Sequence, residues 1–476
     1  MSSEKYKIGQ SQGSEPPNIG VVADGEETLI SIDGLVSGGR GVGREQGRVW
    51  FVQGAVPGDR VWARAEHFRP RFVEGVAVRL ERPSPDRRAS PCPHQSRCGG
   101  CPWMPLPEDR QREWKHRLVV EALERIAGIE HVRVEPVLHP SKPLGYRNRM
   151  EFSVGKGPGG AVAIGLWGRV NGQRALVDLP DCPLQTERAN GLLKTLRTFV
   201  AGRPDVARQL AEQGPFRILI RESSTGEQLV GLWGAVRPFP FAVEFARALA
   251  TGDAPADSVV LLRAKPGRRG GVRAETLHGE GTITERLGEF EFRLPPASFM
   301  QVNPAGGAAL IRLVRELAGN VRNQRVLDLF GGVGAFGLHL ARAGARWVVV
   351  CDADRDAIDA GRRCAHYAGL KHTRFVHKTV QAYLRSQQGK AADLIIANPP
   401  RSGFGRGVAR GILALDPGRV IVVSCDPPTL ARDLKPFLAS GYRLERVVPV
   451  DLFPQTHHVE TVVLLTREAS RQPAAR

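Results

Sequence analysis

One cysteine sits where a nucleophile would be useful. Val420 to Val423 is an apolar run that reads as a buried strand, Ser424-Cys425-Asp426 ends it, Pro427-Pro428 turns the chain, and a helical pattern starts at Thr429. In an open α/β sheet, ligands bind beyond the carboxyl ends of the strands. A Cys425 thiolate at that edge is placed to attack an electrophilic carbon, although the position also suits a small buried side chain that closes a strand. Three further cysteines crowd into PCPHQSRCGGCP: Cys92, Cys98 and Cys101, spaced C-x5-C-x2-C, with Cys182 in LPDCPL further on. Four thiolates close a tetrahedral zinc site or hold an iron–sulfur cluster, and the spacing admits both. Seven cysteines is an odd number, and three within ten residues favour metal or catalysis over disulfides.

A third constellation could hold a nucleotide-like ligand. Val326-Leu-Asp-Leu-Phe-Gly-Gly-Val-Gly is a strand that runs into a glycine-rich turn and a helix, and Asp352 ends the next strand pattern, Trp347-Val-Val-Val-Cys-Asp. The glycines allow close backbone approach, and the acid is placed to accept two ribose hydroxyls, which fits NAD or S-adenosylmethionine. The turn reads D-x-F-x-G-x-G and lacks the G-x-G-x-x-G pyrophosphate fingerprint, which favours S-adenosylmethionine. A further strand ends in Asn398-Pro399-Pro400-Arg401. Amino-methyltransferases often have an aromatic after the two prolines to stack on a base; Arg401 stands there and argues against amine methylation.

These residues need a scaffold. From 297 to 468 strand and helix patterns alternate, which predicts a mostly parallel, doubly wound sheet. Residues 25–82 hold short β-like runs with glycine turns, a small OB-like barrel in which Arg40, Arg44, Arg48, Arg60, Arg64, Arg69 and Arg71 interleave with Trp50, Phe51, Trp62, Phe68 and Phe72. That mixture stacks bases and screens phosphates. Between them, 83–296 reads as the cysteine motif followed by a central α/β domain, with helices over Glu108–Ile126, Glu187–Phe199 and Val243–Ala250 and with Arg147 and Arg149 on one extended face. Residues 1–24 and 469–476 read as disordered tails, and the first of these lacks the apolar stretch of a secretory signal. The 67 Lys and Arg against 49 Asp and Glu give a formal net charge of +18, which favours a polyanionic partner. No apolar run is long enough for a membrane span, so a cytoplasmic, monomeric RNA-binding protein is expected.

Together, the four cysteines, Phe299-x-Gln-x-Asn, Asp328-Leu-Phe-Gly-Gly-Val-Gly, Asn398-Pro-Pro-Arg-Ser-Gly, Ser424-Cys-Asp-Pro and His458-Val-Glu-Thr-Val-Val-Leu-Leu resemble the RNA uracil-5-methyltransferases over about 25–468, and the first barrel resembles a TRAM domain. The resemblance implies an α/β fold: a class I Rossmann-like methyltransferase domain with an N-terminal OB-like TRAM barrel and an inserted central domain. It implies S-adenosylmethionine as donor, held by Gln301, Phe330, Asp352, Thr379 and Asn398, with Cys425 as nucleophile and Glu460 as general base. It also implies a [4Fe–4S] cluster on Cys92, Cys98, Cys101 and Cys182, and RNA as substrate, ribosomal rather than transfer. Two departures stand out: Asn398 replaces the family's usual Asp and cannot act as a base, and Ala335 replaces a frequent polar residue. The alternatives are an RNA cytosine-5-methyltransferase, which also uses a cysteine, and a non-enzymatic RNA-binding iron–sulfur protein.

Overall fold

The computed structural model describes residues 27–467 except 171–172, 213–215, 235–240, 265–271 and 388–389. Both expected tails and the polar loop from Lys265 to Gly271 lie outside the described residues. The described chain falls into two compact units, 27–36 with 40–85 and 37–39 with 86–467.

In the first unit, β1 (Glu27–Leu35), β2 (Gly41–Glu45), β3 (Arg48–Gln53), β4 (Arg60–Phe68) and β5 (Phe72–Arg82) close a barrel in the order β1-β2-β3-β5-β4. Closure removes exposed strand edges, and strand alternation fills the interior with Ile30, Ile32, Trp50, Val52, Val61, Ala63 and Val73. Gly43 is obligatory, because a Cβ there would stand 2.2 Å from the Ser31 carbonyl oxygen. Trp50 belongs to this core and is 1% exposed, so it is not one of the base-stacking aromatics the sequence suggested. Phe51, Trp62 and Phe72 remain partly exposed. Arg40 lies 5.9 Å from the Phe51 ring centre and Arg79 5.0 Å from that of Trp62.

The second unit contains two large sheets. Strands β6 (Arg149–Lys156), β7 (Val162–Val170), β8 (Gln173–Asp178), β9 (Phe216–Glu222), β10 (Gln228–Trp233), β11 (Ser258–Ala264) and β12 (Val272–His278) run in the order β12-β11-β10-β9-β6-β7-β8. Among the described residues of this sheet, β10 and β11 alone pair in parallel. Helices Glu187–Ala201, Pro204–Glu212 and Ala242–Thr251 bury Leu192, Leu196, Val206 and Phe245 in the core formed with this sheet. A hairpin of β13 (Ile283–Leu287) and β14 (Phe290–Leu294) follows.

The second sheet is built from β15 (Arg325–Leu329), β16 (Trp347–Asp352), β17 (Thr373–His377), β18 (Leu394–Ala397), β19 (Arg419–Ser424), β20 (Tyr442–Val450) and β21 (Glu460–Arg467). Its order is β17-β16-β15-β18-β19-β21-β20, and β21 is antiparallel to both neighbours. Burial on both faces explains the unbroken apolar run Leu394-Ile-Ile-Ala. Helices Pro304–Ala318, Ala335–Arg342 and Arg355–Tyr367 pack on one face through Leu310, Val314, Leu338 and Ile358. The other face carries Leu384, Ile412, Leu430 and Leu434. The helix Glu108–Ala122, continued by a π-turn over Leu123–Ala127, also packs here through Val119, Ala122 and Leu123. The chain after it runs beside β20, where Glu135 N donates to Val447 O at 2.9 Å. Among the described residues, no helix is long and apolar enough to cross a membrane.

Candidate active site

The glycine turn after β15 is held by two carboxylates. Phe330 takes φ +56°, Gly332 +56° and Gly334 +79°, a left-handed path in which the non-glycine Phe330 is strained. Gly331 admits no side chain, since a Cβ would meet Val350 at 2.8 Å and Asp328 at 2.9 Å. Asp328 is fully buried, and its Oδ2 accepts from Gly337 N at 2.8 Å in the first turn of the following helix. Burial, with Asp352 nearby, pushes its carboxyl up to about 7. Asp352, at the end of β16, accepts from Gly332 N at 2.9 Å and from Asp354 N at 2.8 Å. Each carboxylate oxygen keeps acceptor capacity beyond one N–H, so Asp352 can still receive hydroxyls while it shapes the turn. The buried role of Asp328 was not anticipated from sequence; its signal was an acid nine residues before Gly337.

Cys425 follows the last residue of β19 and is half-buried. Asp426 caps the helix Pro427–Leu438, its Oδ2 accepting from Thr429 N at 3.0 Å. Glu460 opens β21 and is 4% exposed. Burial pushes its carboxyl up to about 7, opposed by the nearby Arg401 guanidinium. Burial also raises the Cys425 thiol, and the Glu460 carboxylate adds to this, while Arg401 pulls it down. Arg401 thus lies near both groups, closer to the chemistry than its position after two prolines suggested. Arg401 Nη2 also faces His458 Nε2 at 3.0 Å. His458 is held down at about 3 by burial and then by the adjacent His457 and Arg401, and His457 at about 4 by burial and then by Arg401 and Lys115. Both imidazoles are therefore neutral near pH 7, where Glu460 titrates.

Among the other expected donor ligands, Asn398 follows β18 with its backbone N donating to Leu329 O at 3.2 Å, between the first glycine strand and Cys425's strand. Gln301 precedes the helix Pro304–Ala318 and is half-buried. The helix cap Asn303 fixes that segment, since Oδ1 accepts from Gly306 N at 3.1 Å and Nδ2 donates to Leu452 O at 2.9 Å and Ser141 Oγ at 2.8 Å. Thr379 is exposed, and its hydroxyl caps the helix Val380–Arg385 by accepting from Ala382 N at 3.3 Å.

The four cysteines line one cavity of about 370 Å³, together with Arg147 and Arg149. Among the described residues, no three His, Cys, Asp or Glu side chains converge as single-ion ligands do. A zinc ion would draw its thiolates to about 2.3 Å. Four thiols on one cavity are a donor set that either a metal ion or an iron–sulfur cluster can use, and the two guanidinium groups suit the negative charge that four thiolates bring.

Comparison with known proteins agrees with this geometry. A family model described as tRNA (Uracil-5-)-methyltransferase matches residues 263–468, and a TRAM domain model matches 22–78. An uncharacterized RNA methyltransferase of Gloeobacter violaceus is 36% identical over 461 residues, covering 95% of this chain and 99% of its own. A second, from Thermotoga maritima, is 33% identical over 446 residues, covering 92% and 98%. The crystal structure of Pyrococcus abyssi tRNA (uracil-54, C5)-methyltransferase in complex with S-adenosyl-L-homocysteine superposes with a TM-score of 0.69 at 26% identity, covering 93% of this chain and all of that one. With its glycine turn, its cysteine at the end of β19 and its N-terminal barrel, the chain belongs to the S-adenosylmethionine-dependent RNA uracil-5-methyltransferase family and carries a TRAM domain.

Proposed function

We propose that this enzyme forms 5-methyluridine in ribosomal RNA through a covalent Cys425–C6 adduct that Glu460 resolves. The observation that carries the reading is the meeting of a half-buried thiol and a buried carboxyl of pKa about 7 at one sheet edge. Uracil C5 is a weak nucleophile. Addition of the Cys425 thiolate to C6 makes the ring an enolate, and its C5 takes the methyl group from the sulfonium of S-adenosylmethionine. This divides one hard step into easier ones. C5 then carries both a proton and the new methyl; Glu460 takes the proton, the C5=C6 bond re-forms, and the C6–S bond breaks to release Cys425 as the thiolate it began as. A base with a pKa near working pH combines availability with driving force. Arg401 favours the thiolate at the start and offsets charge on Glu460. The uracil must leave any stack to reach a site between strand ends.

Gln301, Phe330, Asp352, Thr379 and Asn398 are proposed to hold the donor. Asn398 offers hydrogen bonds without charge, so the proton must go to Glu460. Cys92, Cys98, Cys101 and Cys182 are proposed to hold a [4Fe–4S] cluster. Methyl transfer moves no net electrons, so such a cluster supplies structural cross-linking. Cluster thiolates and a free nucleophile both suit the reducing cytoplasm, where we place the enzyme as a monomer. Ribosomal RNA is favoured by the combination of basic barrel and four-cysteine site; transfer RNA is the second reading, supported by the name of the Pyrococcus relative. Nucleoside mass spectrometry after incubation with labelled S-adenosylmethionine and each unmodified RNA pool tests this. Labelled 5-methyluridine in ribosomal RNA is expected. Label in transfer RNA alone transfers the assignment, and label in 5-methylcytidine overturns it.

A further inference from the structure

Several buried polar side chains that the reaction does not use lie between the four-cysteine cavity and the loop ending in Glu460. Gln455 is at their centre, fully buried and in a left-handed backbone conformation at φ +72°. Its backbone N donates to Gln111 Oε1 at 2.8 Å, and its carbonyl accepts from Trp103 N at 3.2 Å. Its side-chain Oε1 accepts from Gln111 Nε2 at 2.9 Å and Arg88 Nη2 at 3.2 Å, while Nε2 donates to Glu108 Oε1 at 2.9 Å. Gln111 in turn donates to the carbonyls of Trp103 at 3.0 Å and Leu106 at 2.8 Å.

Both walls of the cysteine cavity reach this knot. Met104 N donates to Cys101 O at 3.2 Å, so Trp103 sits inside a turn that begins at a cavity cysteine. Tyr146 packs with Met104 beside Cys101 and Cys182, and its hydroxyl donates to Pro454 O at 3.1 Å. Beyond the knot, Lys115 anchors the loop start, with Nζ donating to Asp451 Oδ1 at 2.5 Å and Phe453 O at 3.1 Å. Phe453 packs edge-on against His458, and Glu460 then enters the sheet paired with Val450. Buried, fully paired polar groups of this kind fix one geometry, because each leaves its partner unsatisfied if it moves.

We infer that Gln455 is a positioning residue that couples the four-cysteine site to Glu460. Filling the cavity holds Cys101–Met104, that segment holds Gln455, and Gln455 holds the loop whose end is Glu460. This rests on the assignments of Glu460 as base and of the cysteines as a cofactor site, and it gives that site a regulatory role. Emptying the cavity releases the base and leaves the nucleophile in place, because Cys425 ends a separate strand. An emptied enzyme captures RNA, methylates it once and fails to let go.

Gln455→Asn tests the knot, since Asn tolerates the left-handed backbone but is one carbon too short for these partners. The expected result is single-turnover methyl transfer near the wild-type rate, with elimination slowed about tenfold or more and a denaturation-resistant protein–RNA adduct accumulating. Val206→Ala, in the core under the central sheet, serves as the stability control and is expected to accumulate no adduct. Loss of activity without adduct, or wild-type turnover, overturns the inference. Cys101→Ser, with bound iron counted, tests the coupling by hydrogen exchange: faster exchange in 452–459 with 420–425 unchanged supports it, and unchanged exchange in 452–459 overturns it. Glu460→Gln without adduct would remove the base assignment itself. Wild-type protein devoid of iron would remove the cluster assignment and leave Gln455→Asn to decide the rest.

Discussion

Cys425 stands one step past the last paired position of β19, at the same sheet edge as Glu460, the first residue of β21. Ser424 pairs with Thr461 and Val423 with Val462, so the antiparallel register carries Cys425 and Glu460 to the same edge, each next to the last pair. Residues 35 apart in sequence thus become cross-strand neighbours, and the reversed direction of β21 alone puts its first residue at the ligand edge.

Cys425→Ala should abolish 5-methyluridine while leaving donor affinity unchanged, because the glycine turn and Asp352 lie on β15 and β16. Cys425→Ser should do the same, since a hydroxyl is far less acidic than a thiol. Mass spectrometry of product and calorimetric titration with S-adenosylhomocysteine check the two halves; residual product removes the nucleophile assignment.

Glu460→Gln should make the protein more stable at high pH. Burial holds the native carboxyl up at about 7, against about 4.5 for a free glutamate. Between those values the native state holds more protons than the unfolded state, so stability falls as pH rises through this window and is level above it. The neutral amide escapes that loss. The gain should be absent at about pH 4 and reach roughly 2–3 kcal/mol by pH 8, read from denaturant melts at the two pH values. Equal stability at both removes the buried-base description.

Lys115 and Asp451 form a fully buried ion pair. Lys115→Met should cost about 3–5 kcal/mol by stranding the carboxylate. Lys115→Met with Asp451→Asn should cost less than the sum of the single changes, because no charge is left unpaired. Urea melts of the three variants close the cycle.

On the barrel, Arg44 and Arg71 are exposed and stand among the basic residues that match an RNA surface. Replacing both with Glu should weaken RNA binding across sequences and reduce the salt dependence of log Kd by about 2 if each contacts one phosphate. The rate at saturating RNA should hold. An unchanged salt slope excludes these two arginines from the interface.

Cys98→Ser should remove the visible absorbance and the iron that a thiolate-bound cluster confers. Zinc in place of iron in the purified wild type would refute the cluster.

The strand-end residues were legible because each sits where an apolar run stops, and the burial that makes the run also ends at the ligand edge. The glycine turn was legible from the spacing of Asp328, Phe330 and the glycines. The faces of β3 were half-legible: alternation puts Trp50 and Phe51 on opposite sides, but only barrel closure decides that Trp50 is inside. The apolar stripe of the helix Glu108–Ala122 announced a core without naming it, and it packs on the donor sheet rather than beside the cysteines that precede it. The Gln111–Gln455 hydrogen bond joins residues 344 positions apart; two glutamines so separated carry no local pattern, because their complementarity exists only once both backbones are placed.

Strand β21 also sets the order in which a newly made molecule becomes competent. It is the last strand of its sheet to be synthesised, yet it occupies an interior place between β19 and β20. Until it emerges, β19 offers an open edge and β20 lacks the strand that joins it to the sheet. On the proposed mechanism, an incomplete chain holds a thiol that can seize RNA and no carboxyl to release it. The pairing that seals the sheet delivers that carboxyl, so maturation of the fold and licensing of turnover are one event.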